Sequence, residues 1–388
     1  MNNLRDSKII YFDNAATTFP KPPGVTRAVI DCMESYCGNA GRGSHHLAMR
    51  SAEAVYNARE AVASLFSAEP ENVVFTLNTT YALNMAIKGV MGRGGHVLIS
   101  NMEHNSVLRP IARLSQDGRS RYDVFTAYSR HKRLTPKEIL SDITSRLRPD
   151  TRAIVCIHSS NICSYSLPIR EIGQFCRRHG LTFIVDAAQS AGHIPINMEQ
   201  DCIDILCLPA HKGLYAPQGV GIMILRRGMR IDTLIEGGNG VHSLDLSMGD
   251  SAPERYEGGT LCLPAIVGLS RGIEFINQIG LDTIAAHEKK LCQRLLERFD
   301  SIRRINVYDS EDAGGVILFN VDGIASDRVG ELLSAKGFCL RTGFHCSALA
   351  HRSLSTDRIG GVRISFGIFN TENEVDALCS AVSDIARL

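Results

Sequence analysis

Five turns in this 388-residue chain place side chains capable of chemistry directly after runs of apolar residues. They are Asn78-Thr79-Thr80, Glu103-His104, His158 with Asn161, Asp186 with Gln189, and His211-Lys212. Any one alone reads as an ordinary turn. Together they read as a site, because ligands of open parallel sheets bind beyond the carboxyl ends of the strands. Asn78-Thr79-Thr80 opens a helical run, where it is either a plain N-cap or a set of N–H groups and hydroxyls waiting for an anion. Asp186 closes an apolar run, and a carboxylate there needs a positive or donor partner. Lys212 lies in Leu208-Pro209-Ala210-His211-Lys212-Gly213, between two core strands. It is either a surface loop residue or a desolvated amine of lowered pKa, suited to Schiff-base chemistry.

The elements that would position these turns follow from periodicity. Residues 52–66 keep apolar side chains at i, i+3, i+4 spacing and predict a helix, as do residues 81–90 after a short strand at 73–75. Compact apolar runs at 97–99, 153–157, 182–185, 203–206 and 220–225 predict strands, with a helix at 169–178. Unbroken apolar strands alternating with helices indicate a mainly parallel sheet covered on both faces, an α/β domain over residues 15–262. From Pro264 the pattern changes to helices at 265–279 and 281–299, strands at 315–321 and 362–366, and a last helix capped by Thr371 with Glu374. This predicts a smaller α+β domain over 263–388, to which the N-terminal segment 1–14 is assigned.

Composition narrows the function classes. Apolar residues make up 44% and charged residues 21%, and 42 Lys plus Arg against 41 Asp plus Glu gives a net charge of +1. No basic excess points to nucleic acid. Residues 1–14 lack the apolar core of a signal peptide, and no run is long enough to span a membrane. The 12 cysteines contain no C-x-x-C pair, so neither a disulfide framework nor a zinc site is expected. Most should be small buried hydrophobes in a reduced, cytoplasmic protein. There is no G-x-x-x-x-G-K-[ST] and no G-x-S-x-G, and His287-Glu288 lacks the second histidine of a zincin.

A sixth cluster, Arg341-Thr342-Gly343-Phe344-His345-Cys346, resembles the R-x-G-x-H-C segment of Suf-type cysteine desulfurases and bacterial selenocysteine lyases. Asp186-x-x-Gln189 followed by His211-Lys212 is similar to the pyridoxal-phosphate (PLP) site of fold-type I, class V aminotransferase-like enzymes. Tyr11 to Ala16, Arg42-Gly43-Ser44-His45, Glu257-Gly258-Gly259-Thr260, Arg363 and Asn370-Thr371 match in family order. The resemblance implies that Lys212 holds PLP covalently while Asp186 keeps the pyridine nitrogen protonated, making the ring an electron sink. By the same resemblance Gln189 bonds the ring oxygen and His104 stacks on the ring. Thr79, Thr80 and His211, with Thr260 contributed by a second subunit, would hold the phosphate, which makes a homodimer the expected form. Asn161 and Arg363 would fix the substrate, Arg363 through its planar fork, with His45 and Arg341 nearby.

Cys346 sets the reaction type. A thiolate beside His345 and Arg341 should have a lowered pKa and attack a substrate sulfur, releasing alanine and leaving a persulfide. A buried structural role suits Cys156, Cys207 and Cys292 instead. Three stretches depart from the family: Pro209 stands where Ser or Thr usually binds phosphate, 163–165 replaces T-G-T, and 261–263 replaces P-N-T. The reading is a PLP-dependent, cysteine desulfurase-like homodimer that removes sulfur or selenium from L-cysteine or L-selenocysteine to give alanine, with a sulfur-acceptor protein as a candidate partner. Its rivals are a C–S lyase or aminotransferase that does not need Cys346, and a non-catalytic dimeric scaffold.

Overall fold

Short apolar strands alternating with amphipathic helices build one seven-stranded sheet. Its strands are Val73–Thr76 (β1), His96–Ser100 (β2), Arg121–Phe125 (β3), Thr151–Ile157 (β4), Thr182–Asp186 (β5), Ile205–Pro209 (β6) and Gly221–Leu225 (β7). The computed structural model describes residues 9–41, 43–129, 132–241, 244–309 and 314–388. Arg42 of the Arg42–His45 motif and residues 1–8 of the N-terminal segment lie outside the described residues.

The strand order is β1-β7-β6-β5-β4-β2-β3. Strands β2 to β6 pair in parallel, and β7 runs antiparallel to both β6 and β1. The link between β6 and β7 carries no helix, and without a crossover the chain returns antiparallel. Alternate residues serve opposite faces. Leu98, Ile154, Cys156, Phe183 and Val185 enter one core, while Val97, Ile99, Ala153, Val155 and Ile184 enter the other. Both faces are dry, which is why these strands read as continuous apolar runs rather than alternating ones.

Helices Pro23–Ser35 (α1), His46–Phe66 (α2), Thr79–Met91 (α3), Asn105–Gln116 (α4), Pro136–Arg146 (α5) and Ile169–His179 (α6) belong to this sheet unit. Helix Leu263–Ile279 (α7), placed by the sequence pattern in the second unit, packs Ile266, Leu269, Ile273 and Ile276 into the large core. Beyond it come Leu281–Asp300 (α8), Ser326–Ala335 (α9), Ala348–Ser353 (α10) and Glu372–Ala386 (α11). The capping box of Thr371 and Glu374 starts α11 as its sequence predicts.

The second sheet, Ile305–Tyr308 (β8), Val316–Val321 (β9), Arg341–Gly343 (β10) and Gly361–Ser365 (β11), is antiparallel in the order β8-β9-β11-β10. Its core gathers Leu291, Leu295, Phe319, Val329, Ile364, Leu378 and Val382, and it takes in Phe12 from the start of the chain. Full burial of one such side chain contributes roughly 1.5–3 kcal/mol. Phe12 thereby anchors the segment carrying Asp13 to Ala16 between the two sheets. Asn14 extends the seam, donating through Nδ2 to the Ser365 carbonyl at 3.0 Å.

Candidate active site

The turns after the parallel strands meet in a cavity of about 220 Å³. Thr79, Thr80, His104, Asn161, Asp186, Gln189, His211 and Lys212 all line it, joined by Ser106. Glycines set the spacing of the two turns that matter most. Gly192 has φ 85°, and a Cβ there would lie 2.2 Å from the Gly213 carbonyl oxygen, while one on Gly213 would lie 2.2 Å from that of Ala191. Only glycine at both positions lets the turn carrying Gln189 touch the turn carrying Lys212.

Thr79 and Thr80 begin α3, whose N-cap Asn78 accepts the Tyr81 N–H through its side chain at 3.0 Å. The first-turn N–H groups and the helix dipole face an anion position. The Thr80 hydroxyl lies 2.8 Å from Ser106 Oγ, and the Ser106 N–H donates to His104 Nδ1 at 3.1 Å. Because Nδ1 accepts, the proton of the neutral ring sits on Nε2. Burial, aided by the positive charge of Lys212, holds the His104 pKa down to about 4, so a neutral ring lies against the cavity.

Asp186 is buried and accepts the Ala188 N–H at 2.9 Å, yet desolvation raises its pKa to about 6. A carboxylate so placed gains most from a cationic partner arriving in the cavity. Lys212 is shifted the opposite way, to about 8, first by burial and then by Arg363. Its main chain is held by Thr18, whose hydroxyl donates to the Lys212 carbonyl. Among the described residues His211 Nδ1 is buried without a partner. Its carbonyl accepts from Lys21 Nζ at 2.8 Å. Gln189 Nε2 donates to the Ala15 carbonyl at 3.0 Å. Glu103 lies behind the site, fully buried, taking the Ile157 N–H at 2.8 Å, with burial raising its pKa to about 8.

Other candidates lie outside the lining of this cavity. Arg363 is buried on β11 with Nη2 2.6 Å from Asp13 Oδ1 and Nη1 3.0 Å from the Asn161 carbonyl, and its Nε has no partner among the described residues. Asn161 reaches the cavity, but its amide also ties down the thiol loop: Nδ2 donates to the His345 carbonyl at 2.8 Å and Oδ1 accepts from Ser347 Oγ at 2.5 Å. His45 is the exposed N-cap of α2, accepting the Ala48 N–H at 3.3 Å. Thr260 is exposed and lines two separate grooves. Beside it, Glu257 makes a two-pronged ion pair with Arg59, at 2.8 and 2.5 Å, which fixes this segment on α2.

Cys346 is exposed, with Arg341 Nη2 3.9 Å from its sulfur. His345 does not supply the charge that the sequence suggests. Its ring is buried, pushed down to about 3 by desolvation, and bonds to the Arg341 carbonyl and to His351. Arg341 is the cation beside the thiol. Cys156, Cys207 and Cys292 are buried with thiols pushed upward by desolvation. Elsewhere Cys32 is buried, and Cys37 and Cys262 are exposed.

Sequence reasoning missed three participants. Asp13 stood in a matched motif without a role, and no local signal links it to Arg363, 350 positions away. Ser106 follows His104 by two residues, and nothing in the sequence marks it. Ser347 matters through one bond to Asn161, which only the fold brings near.

The aminotransferase class-V family model matches residues 10–378. The chain belongs to the class-V aminotransferase family. Among its relatives there, a probable cysteine desulfurase of Methanothermobacter thermautotrophicus is 32% identical over 99% of this chain and 96% of its own length. A cysteine desulfurase of Haloferax volcanii is 28% identical, over 98% and 89%. The apo cysteine desulfurase of Thermococcus onnurineus superposes with a TM-score of 0.90 at 29% identity, covering 98% of this chain and 95% of that one. The S-sulfonic acid form of an Escherichia coli cysteine desulfurase gives 0.87 at 25% identity, covering 98% and 94%. These class-V relatives share the fold-type I architecture seen here.

Proposed function

We propose that this class-V enzyme is a PLP-dependent cysteine desulfurase that acts on L-cysteine or L-selenocysteine through Cys346. The observation that carries the reading is the convergence of the Lys212 amine and the Asp186 carboxylate on one cavity, with the Cys346 loop bonded to Asn161 at that cavity. The residues present fit PLP: a depressed amine for its aldehyde, a carboxyl hungry for a cation opposite its ring nitrogen, and the α3 N-terminus with the unpartnered His211 Nδ1 for its phosphate. PLP supplies an electron sink for the substrate's Cα. With PLP bound, Asp186 would keep its ring nitrogen charged, and neutral His104 would pack against the ring. The free Lys212 amine, lowered to about 8, would be a base of the right strength to move the Cα proton. Arg363 holds the substrate carboxylate. The Cys346 thiolate, with Arg341 beside it, would attack the substrate sulfur; as the sulfur–sulfur bond forms the carbon–sulfur pair moves onto Cβ, which takes up a proton and leaves as the methyl of alanine, and Cys346 keeps the sulfur as a persulfide. Two thiols of a reductant, or an acceptor protein, then remove that sulfur.

We take the working form to be a cytoplasmic homodimer. The grooves sharing Thr260, Glu257 and Leu261 are lined by exposed apolar Tyr56, Leu77, Ile235 and Val241, a patch that a second copy would cover. The division at 262/263, with the N-terminal segment on the smaller unit, is proposed on the change in sequence pattern there, with α7 packed back onto the large core. No helix among the described residues is long and apolar enough to cross a membrane.

The reading is tested by adding PLP and following absorbance at about 420 nm, the band of a protein-bound PLP imine, and then by sulfide release from cysteine. A protein that forms no such band and releases no sulfide is a scaffold. The amine must be neutral to react, so the rate of PLP uptake by the apo protein should rise with pH and half-saturate near the Lys212 pKa of about 8. A flat profile between pH 6 and pH 9, on the order of those values, would place the anchor on an amine that does not titrate there.

Pro209 ends β6, buried, opposite Gly221. It has neither hydroxyl nor N–H to donate to a phosphate. A hydrogen bond to a charged group contributes roughly 1.5–3 kcal/mol, about ten- to a hundredfold in affinity. Pro209→Ser should therefore slow PLP loss during turnover, measured by gel filtration after cysteine addition. Unchanged loss would mean that the α3 turn and His211 already satisfy the phosphate.

A further inference from the structure

Cys346 sits in backbone that its residue type disfavours. His345 and Cys346 are both left-handed, with φ of 50° and 57°, a conformation that costs free energy at each non-glycine residue and persists only when the surroundings impose it. Two sets of bonds impose it here. From the large sheet unit, Asn161 Nδ2 donates to the His345 carbonyl at 2.8 Å and the Asn105 N–H donates to the Cys346 carbonyl at 2.8 Å. From the other side runs a buried chain: His345 Nε2 lies 3.3 Å from the Arg341 carbonyl, His345 Nδ1 3.3 Å from His351 Nε2, and His351 Nδ1 2.7 Å from the Thr356 hydroxyl.

The Arg341 carbonyl can only accept, which sets the direction of the chain. His345 then carries its proton on Nε2 and His351, whose ring the Phe344 backbone also bonds, on its own Nε2. The Thr356 hydroxyl, 3.3 Å from the His351 carbonyl, faces His351 Nδ1 at the shorter distance of 2.7 Å. Burial keeps both rings neutral, at about 3 and about 4, which is the state this one-directional chain requires.

We propose that the Thr356–His351–His345 chain holds Cys346 in its left-handed conformation and the Arg341 guanidinium against its sulfur, making His351 and Thr356 positioning residues for the thiol. The proposal rests on the reading of Cys346 as the nucleophile. None of these residues except Arg341 touches the reacting sulfur. The chain acts through backbone, by setting where β10 ends and where the thiol begins.

The test uses PLP-loaded protein with Thr356→Val, which keeps the shape of the side chain, and with His351→Phe. Three quantities are read: iodoacetamide labelling of Cys346 without substrate by peptide mass spectrometry, kcat and KM for sulfide release from L-cysteine, and selenide release from L-selenocysteine. Selenium can leave without attack by a thiol, so the last reports on the rest of the site. Loss of one hydrogen bond in the chain should raise Cys346 labelling about tenfold and lower kcat for sulfide about tenfold, with KM nearly constant. Selenide release and the PLP band should stay within about twofold. His351→Gln, which can still donate to His345 Nδ1, should recover most of both losses. Unchanged labelling and kcat in Thr356→Val would overturn the proposal, as would loss of the PLP band in step with kcat. Faster labelling with unaltered sulfide release would uphold the positioning chain and refute Cys346 as the nucleophile.

Discussion

Replacing Lys212 with alanine removes the covalent hold on PLP and lowers sulfide release by at least about three orders of magnitude. The expected loss is this large because two roles vanish together. Only an amine can bond the PLP aldehyde, and only a base of suitable strength placed over the substrate Cα can move its proton. Burial supplies that strength by holding Lys212 near 8 rather than at the ordinary lysine value. Borohydride reduction followed by peptide mapping checks the first role, since it freezes PLP on Lys212 in the native protein and on no residue in the variant. A PLP–protein bond that persists in Lys212→Ala would identify another anchor. Lys21, itself lowered to about 8 by burial and bonded to the His211 carbonyl, is another depressed amine at this end of the sheet.

The second large effect concerns Cys346. Cys346→Ser should retain the PLP absorbance, because the thiol lies outside the lining of the cofactor cavity. It should lose sulfide release from cysteine by about a thousandfold or more, since a hydroxyl is a far poorer nucleophile toward sulfur. Persulfide labelling of the protein after a single turnover should fall to background. Selenide release from selenocysteine should be partly preserved, so the variant separates damage to the cofactor site from loss of the nucleophile. Near-normal sulfide release would mean that carbon–sulfur cleavage proceeds without a thiol acceptor, the behaviour of a lyase.

The large sheet was legible because its strands are buried on both faces, which leaves unbroken apolar runs such as 153–157. The edge strand β3 was not, because Arg121, Tyr122 and Asp123 half-face solvent and break that pattern. The strand expected at 203–206 lies at Ile205–Pro209. Asp204 precedes it, accepting the Phe183 N–H at 2.8 Å and pairing with Arg226. The extra turns of α2, starting at His46, carry Met49 and Arg50 without the apolar stripe that marks the rest of the helix. In the site, Lys212, Asp186 and the α3 turn could be read because each ends or follows a strand, where topology alone directs it to the cavity. The role of His345 could not. Adjacency in sequence to Cys346 suggested electrostatic help, but the left-handed backbone turns the two side chains apart and sends the imidazole inward to His351. Asp13 and Ser347 are likewise joined to Arg363 and Asn161 only by tertiary packing, which no spacing rule encodes.

The central claim is tested most directly by incubating PLP-loaded protein with L-cysteine and a dithiol, and measuring alanine, pyruvate and sulfide in the same reaction. Transfer of sulfur to Cys346 predicts alanine and sulfide in equal amounts, with no pyruvate. Sulfide accompanied by pyruvate and ammonia in place of alanine would contradict it.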